Sequence, residues 1–202
     1  GAVATAIGPD VAVCPSCLRE LFDPDDRRWR YPFINCTHCG PRFTITQRLP
    51  YDRPNTSLAG FPLCPACERE YRDPSDRRFH AQPVACPVCG PQLALWQPDG
   101  TAIDTVDPLH EAARRLAAGQ ILAVKGVGGY HLACDATHPG PLQRLRAAKQ
   151  RERKPFALLL PNVASARQWA QVDDDAARLL ASPAAPILLL PTRPGVAERH
   201  PL

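Results

Sequence analysis

The chain has 202 residues with 24 Lys and Arg against 20 Asp and Glu, a formal charge of +4. Its pI near 8.6 is mildly basic and falls short of the concentrated positive stripe of a dedicated nucleic-acid binder. It carries no run of 18 apolar residues and no charged, apolar and small-residue leader, so no membrane span or signal peptide is read from it, and a soluble, cytoplasmic protein is expected. Met is absent even from position 1, and the abrupt start at Gly1 suggests a piece of a longer protein.

Apolar residues are unevenly spread. Residues 14–95 are rich in Cys, Pro, Arg and Asp with few aliphatics, whereas residues 105–190 contain ILAV, FALLL and ILLL. The first region therefore lacks an ordinary core, and the second has the makings of one. Eight of the nine cysteines fall in CxxC pairs, which points to thiolates on a metal in a reducing compartment and away from disulfides.

After a leader over 1–13, sliding the chain by 50 residues lays CPSCLRELFDPDDRRWRYPFINCTHCGP over CPACEREYRDPSDRRFHAQPVACPVCGP. Every cysteine stays in register, and R-E, D-P, D-R-R and C-G-P recur, so the chain holds an internal duplication. Each copy reads CxxC, 18 residues, CxxC, the spacing of a four-thiolate zinc site. Cys14, Cys17, Cys36 and Cys39 are expected to hold one ion in a finger over 14–45, and Cys64, Cys67, Cys86 and Cys89 a second in a finger over 64–95. Residues 46–63 are read as a linker. Sequential pairing is preferred to an interleaved one because the 24 residues between the repeats exceed the usual window.

Two residues between cysteines let a turn aim both sulfurs at one ion, and two such turns complete a tetrahedron. Gly40 and Gly90 suit the turn that follows, since glycine tolerates positive φ. A closed four-sulfur site leaves no position for water or substrate, so these ions are structural, and their binding replaces the missing core. His38 and His80 offer imidazoles that a full set of sulfurs does not need. Arg27 with Arg28, and Arg77 with Arg78, read either as a solvated basic face or as counter-charges to a site with a formal charge of about minus two.

In the second region, Asp107 and Pro108 predict a helix start, with Leu109, Ala112, Ala113 and Leu116 on one face and Gly119 as the stop. Ile121–Val124 predicts a buried strand running into the glycine-rich turn Lys125–Tyr130, either a structural loop or a phosphate cradle. A helix from about Pro141 to Lys149 turns Leu142 and Leu145 inward, and the cations Lys149, Arg151, Arg153 and Lys154 follow it. They read as a solvated helix end or as an anion site. A strand over Phe156–Leu160, helices near 164–170 and 174–181, and a strand over Ile187–Leu190 complete an α/β reading. Cys134 is expected to be packed, and His131 and His138 to be loop or structural residues.

The order of these motifs, through FDPDDRRWRYPFINCTHCGPRFTI, the second finger, KGVGGYHLACDA and KQRERKPFALLL, resembles the HypF family of carbamoyltransferases of nickel-iron hydrogenase maturation. The region after 105 is similar to the YrdC/Sua5 family. The resemblance implies a mixed α+β and α/β fold class: two small four-cysteine zinc fingers, then over 105–202 the N-terminal part of a YrdC-like twisted α/β domain around a nucleotide pocket. It implies that Lys149 and Arg151 are the family's KxR element, that Lys154 begins its following KP, and that Lys125 stands on its first pocket-lining loop. It further implies two structural zinc ions, ATP and carbamoyl phosphate or carbamate as substrates, and carbamoyl adenylate as intermediate. The implied acceptor is the C-terminal cysteine of a hydrogenase maturation partner protein. No catalytic residue is assigned.

The family's later Ser and Asn motif, which closes the nucleotide site, would lie past Leu202, so residues 1–202 alone are expected to be catalytically silent. Two rivals remain beside this reading. A nucleic-acid-binding zinc module would need interleaved aromatic and basic residues that are missing here, so DNA or double-stranded RNA is not an expected partner. A threonylcarbamoyl-adenylate synthase acting in transfer RNA modification would share the YrdC-like region but not the finger pair.

Overall fold

The computed structural model describes residues 7–151 and 154–200. The chain divides into two units: one holds the residues up to Gln92 with Ser182–Ala185, the other Leu93–Ala181 with the residues from Pro186 onward.

In the first unit each repeat opens with a short helix, α1 (Pro15–Phe22) and α2 (Pro65–Arg72). Cys14 and Cys64 take the N-cap position in extended conformation, and the proline that follows each starts the helix with its φ already set and no N–H to satisfy. The first CxxC is therefore a helix start, with Cys17 and Cys67 buried in the first turn. Asp23 and Asp73 end the helices and open tight turns. Arg30 and His80, equivalent under the 50-residue shift, both adopt the left-handed region with φ of 56° and 51°. Their amides donate back to the carbonyls of Leu21 and Tyr71 at 2.8 and 3.0 Å, closing the turn over the helix end.

The second CxxC of each repeat is a tight turn, in which the Cys39 amide donates to the Cys36 carbonyl at 3.3 Å and that of Cys89 to Cys86 at 3.1 Å. Gly40 has φ of +95°, as expected, and a Cβ there would stand 2.6 Å from Asn35 Cβ. Gly90 differs from expectation. It is not at positive φ; it is glycine because a Cβ would run into Tyr31 Oη and Ala85 Cβ.

Residues 46–63 are held against the second finger. Thr46 bridges to Thr56, a 3-10 turn forms over Arg53–Asn55, and Ile45, Thr56 and Leu58 are buried. The Arg53 guanidinium donates to the carbonyls of Gln82, Val84 and Phe61 at 2.7 to 2.8 Å, and its amide to Gln82 Oε1 at 2.8 Å.

The second unit opens with a hairpin of β1 (Leu95–Trp96) and β2 (Ala102–Ile103). Helix α3 (Pro108–Ala117) starts where predicted, with Asp107 accepting from the His110 amide at 2.9 Å, and Gly119 at φ +77° follows its end. β3 (Leu122–Gly126) and β4 (Gly129–Ala133) then pair antiparallel through the two-residue turn Val127–Gly128. Helix α4 (Pro139–Ala148) buries Leu142 and Leu145, as its periodicity requires. α5 (Val163–Trp169) and α6 (Asp174–Leu180) are capped by the side chains of Asn162 and Asp173, and α7 (Val196–Arg199) follows.

Two expected strands are not formed. Residues 156–160 and 187–190 join no sheet among the described residues, and Leu159, Ile187 and Leu189 are at least 85 % exposed. A strand exists only through its partner's hydrogen bonds, and β3 is paired with β4, its immediate successor. The glycine-rich stretch is accordingly the end of a hairpin, with Lys125, Gly126, Gly129 and Tyr130 paired in its strands and not in a loop. The fold class that the unit presents is mixed α and β.

Candidate functional site

The eight paired cysteines gather into two sets, Cys14, Cys17, Cys36, Cys39 and Cys64, Cys67, Cys86, Cys89, each with its sulfurs within 4.8 Å of one another. Pairing is sequential within each repeat. Neighbouring sulfurs lie 3.7 Å apart for Cys14 and Cys36, 3.8 Å for Cys36 and Cys39, and 3.5 Å for Cys39 and Cys17. In the second set Cys64 and Cys86, and Cys86 and Cys89, are both 3.7 Å apart. A disulfide needs about 2.05 Å, whereas a tetrahedron of bonds of about 2.3 Å to zinc has edges of about 3.8 Å. The donor set fits a tetrahedral, thiophilic divalent ion.

The thiols are already unequal. Burial opposes ionisation of Cys64, but the Cys67 amide and the sulfurs of Cys86, Cys67 and Cys89 outweigh it and hold the thiol down to about 6. Burial pushes Cys67 up to about 12, against the hydrogen bond from Arg27. In the first set Cys17 is pushed up by its contacts with Cys36 and Cys39, and Cys36 is held down by those with Cys17 and Cys39. Four sulfurs this close cannot all ionise by themselves; a divalent cation removes that obstacle.

His38 is no ligand: its amide donates to Cys36 Sγ at 3.4 Å, and its ring faces Thr37. His80 packs its ring on Tyr71 and Phe79, with centroids 5.0 and 4.4 Å apart.

The arginine pairs are not a solvated face. Arg28 and Arg78 are 1 % and 4 % exposed. Each pair reaches into the other finger. Arg27 Nη2 donates to Cys67 Sγ at 3.2 Å and to Glu70 Oε2 at 2.6 Å. Arg28 grips Glu70 with both terminal nitrogens, at 3.0 and 2.5 Å, and donates from Nε to the Ala85 carbonyl at 2.9 Å. In mirror fashion Arg77 Nη1 donates to Cys17 Sγ at 3.1 Å and its Nε to Glu20 Oε1 at 3.1 Å. Arg78 donates to Glu20 Oε2 and, from Nε, to the Asn35 carbonyl at 3.1 Å. Asp26 and Asp76 fix the backbone of these arginines, each accepting from the amide two residues on at 2.7 Å. Burial would raise the Glu70 carboxyl, but the hydrogen bonds from Arg28 and Arg27 prevail and hold it down to about 2; Glu20 is lowered by Arg78 and Arg77 against the same burial.

Glu20, Glu70 and Asn35 are thus site residues that sequence reasoning did not single out. The signal for the two glutamates was on the page as the repeated R-E of Arg19–Glu20 and Arg69–Glu70. It carried no hint of its partner in the opposite repeat.

The expected nucleotide-facing residues lie in the second unit. Lys125 is on β3 with its ammonium 5.4 Å from the Tyr130 ring centroid. Lys149 is the exposed C-cap of α4, Arg151 places its guanidinium 5.8 Å from the Phe156 ring, and Lys154 is exposed. Arg146 Nη1 gathers this loop by donating to the carbonyls of Arg151 and Lys154 at 2.8 and 3.2 Å. No hydrogen bond among the described residues joins Lys125 to the loop, and Arg153 lies outside the described residues. Cys134 is half-buried, its thiol raised by burial and by Asp135. Among the described residues no helix is long and apolar enough to cross a membrane.

A family profile described as HypF finger matches residues 13–46 and 63–96, and one described as Telomere recombination, the Sua5/YciO/YrdC profile, matches 114–200. The chain is 60 % identical to "Carbamoyltransferase HypF2" of Cupriavidus necator over 98 % of its length, and 55 % identical to "Carbamoyltransferase HypF" of Rhizobium leguminosarum over 96 %. It spans 24 % of each of these relatives. Among solved structures it is similar to a T. kodakarensis HypF, with TM-score 0.89 and 46 % identity over 94 % of this chain and 25 % of that one. A full-length HypF in a phosphate- and nucleotide-bound form matches with TM-score 0.85 and 47 % identity, over 93 % of this chain and 24 % of that one. With two fingers of the family's own type and relatives of that name matching along almost its whole length, the chain belongs to the HypF family.

Proposed function

We propose that this chain is the finger and nucleotide-facing portion of an ATP-dependent carbamoyltransferase acting in the cytoplasm. The complete protein takes carbamoyl phosphate and ATP, forms carbamoyl adenylate, and passes the carbamoyl group to the C-terminal cysteine of a hydrogenase maturation partner. That group becomes a cyanide ligand of the nickel-iron site. The observation that carries this reading is the similarity, along nearly the whole chain, to proteins named carbamoyltransferases. The nucleotide-bound form of a HypF neighbour supports a nucleotide role for the second unit.

In this reading Cys14, Cys17, Cys36 and Cys39 hold one zinc ion, and Cys64, Cys67, Cys86 and Cys89 another. Both are closed, structural sites. Lys149, Arg151 and Lys154, with Lys125 on the hairpin, supply fixed cations to the phosphates of ATP and to the pyrophosphate that leaves. These charges matter most as negative charge develops, so in the complete protein Lys149→Ala or Arg151→Ala should lower turnover at least about tenfold. The assay is carbamoyl-phosphate-dependent exchange of pyrophosphate into ATP. Unchanged exchange in either variant would remove that residue from the site, and exchange that needs no carbamoyl donor would overturn the reaction assigned.

A further inference from the structure

We infer that the two four-cysteine sites load metal as one coupled unit, because each receives its charge-compensating arginines from the opposite finger. The inference rests on the zinc reading above and extends it to residues that are not ligands.

The wiring is reciprocal. Cys17 and Cys67, the ligands inside the first helical turns, are each fully buried and each accepts from an arginine of the other repeat, Arg77 at 3.1 Å and Arg27 at 3.2 Å. The same exchange recurs one residue on, where Arg28 and Arg78 donate to the carbonyls of Ala85 and Asn35. Those carbonyls immediately precede Cys86 and Cys36, so each arginine pair touches the opposite site on both of its CxxC arms. Glu70 and Glu20 lock the guanidiniums in place from the α2 and α1 helices.

The consequence follows from what each arginine needs. Arg27 and Arg28 lie between Cys17 and Cys36, within the loop that the first site's ligands close. Filling the first site therefore orders the donors for Cys67, and filling the second orders Arg77 and Arg78 for Cys17. A site of four thiolates with a divalent ion carries a net charge of about minus two, and burying it without a counter-charge is costly. Each ion is thus held more tightly when the other is present, and linkage makes the effect equal in both directions.

The test is native mass spectrometry of the full chain, stripped of metal under reducing conditions and given one equivalent of zinc. Independent, equal sites leave about half of the molecules with a single ion; a coupling of about a hundredfold leaves about a tenth, the rest being empty or doubly filled. We expect the second distribution for the wild type. The double variant Arg27→Gln/Arg77→Gln should still take up two ions at excess zinc but shift the one-ion species toward half. A second variant does not depend on those substitutions folding: Cys64→Ser/Cys67→Ser should weaken zinc binding at the first site about tenfold or more in chelator competition. A one-ion species at half or above in the wild type would overturn the coupling, as would an unchanged first-site affinity in the cysteine variant. An unshifted distribution in the arginine variant would take the role away from the arginines. Failure to bind zinc at all would overturn the metal reading and the coupling together.

Discussion

Replacing Glu70 by Gln should destabilise the finger unit by about 2 kcal/mol, because Glu70 is the point at which two arginines are neutralised. Glu70 Oε1 and Oε2 accept from Arg28 at 3.0 and 2.5 Å and from Arg27 at 3.3 and 2.6 Å. Arg28 has only 2 % of its side chain exposed and cannot turn to water once its carboxylate is gone. Two routes give the magnitude. Removing one partner of a buried pair costs about 3–5 kcal/mol, reduced here because Arg28 keeps the Ala85 carbonyl. Alternatively, the carboxyl is lowered from 4.5 to about 2, which at about 1.4 kcal/mol per unit sets an upper bound of about 3.5 kcal/mol, and solvent at the partly exposed carboxylate screens this down toward about 2 kcal/mol. The folded value is depressed, so this stabilisation is complete above 4.5 and lost as pH falls through about 2; a measurement at neutral pH reads it in full. For a unit of this size the melting midpoint should fall by about 8–16 °C, read by circular dichroism together with zinc release to a chelating dye. Glu68→Gln is the control: Glu68 also pairs with an arginine, Arg72, but 39 and 77 % of the two side chains are exposed, and its loss should move the midpoint by a few degrees at most. Equal midpoints for wild type and Glu70→Gln would refute the argument that the arginine pair depends on this carboxylate.

Gly40→Ala should cost more than Gly119→Ala although both glycines have positive φ, because only at position 40 does the added methyl meet a neighbour closer than 3 Å; equal unfolding midpoints would count against the packing. Tyr31→Phe should lose about 1 kcal/mol, since its hydroxyl donates to the Pro91 carbonyl at 3.2 Å from the opposite finger; denaturant unfolding reads it. In the zinc-loaded native chain a thiol reagent should titrate only Cys134, and all nine cysteines should react after chelation under denaturing conditions; early reaction of further thiols would show open metal sites.

Much of the first unit was legible because its information is local and doubled. Two CxxC pairs at fixed spacing name a tetrahedral set, and the proline after Cys14 and Cys64 marks a helix start whether or not the rest of the fold is known. The arginine pairs were legible as counter-charges, one of two readings the sequence left open, but which site each pair serves was not. Sliding the sequence by 50 residues places Arg27 over Arg77, whereas the physical partners of Arg27 are Cys67 and Glu70, 40 and 43 residues away. A repeat alignment shows which residues are equivalent and hides which ones touch. In the second unit the helix starts at Asp107 and the inward Leu142 and Leu145 followed from capping and periodicity. The apolar runs at 156–160 and 187–190 misled because an apolar run says only that a segment suits a strand, and pairing needs a neighbour that no local pattern names. The hairpin was the reverse case. Two residues between Gly126 and Gly129 are a hairpin signal in their own right, which the reading of Lys125–Tyr130 as a loop or phosphate cradle passed over.

The duplication is preserved where the two fingers meet and has drifted where they do not. Arg28 and Arg78, Glu20 and Glu70, and the carbonyls of residues 35 and 85 keep matching roles, because each half of the interface is made by the same surface patch on both repeats. A change on one side would break a contact on the other as well. On the outer face of the opening helices that constraint disappears. Leu18 and Phe22 stand exposed on α1, the latter at 70 %, whereas the equivalent positions on α2 are Glu68 and Arg72, joined as an i, i+4 ion pair. The symmetry therefore follows the electrostatics of the thiolate sites and not the helices that carry them. A single finger has its sulfurs but not its counter-charge, which gives the second copy a physical role beyond adding another metal ion.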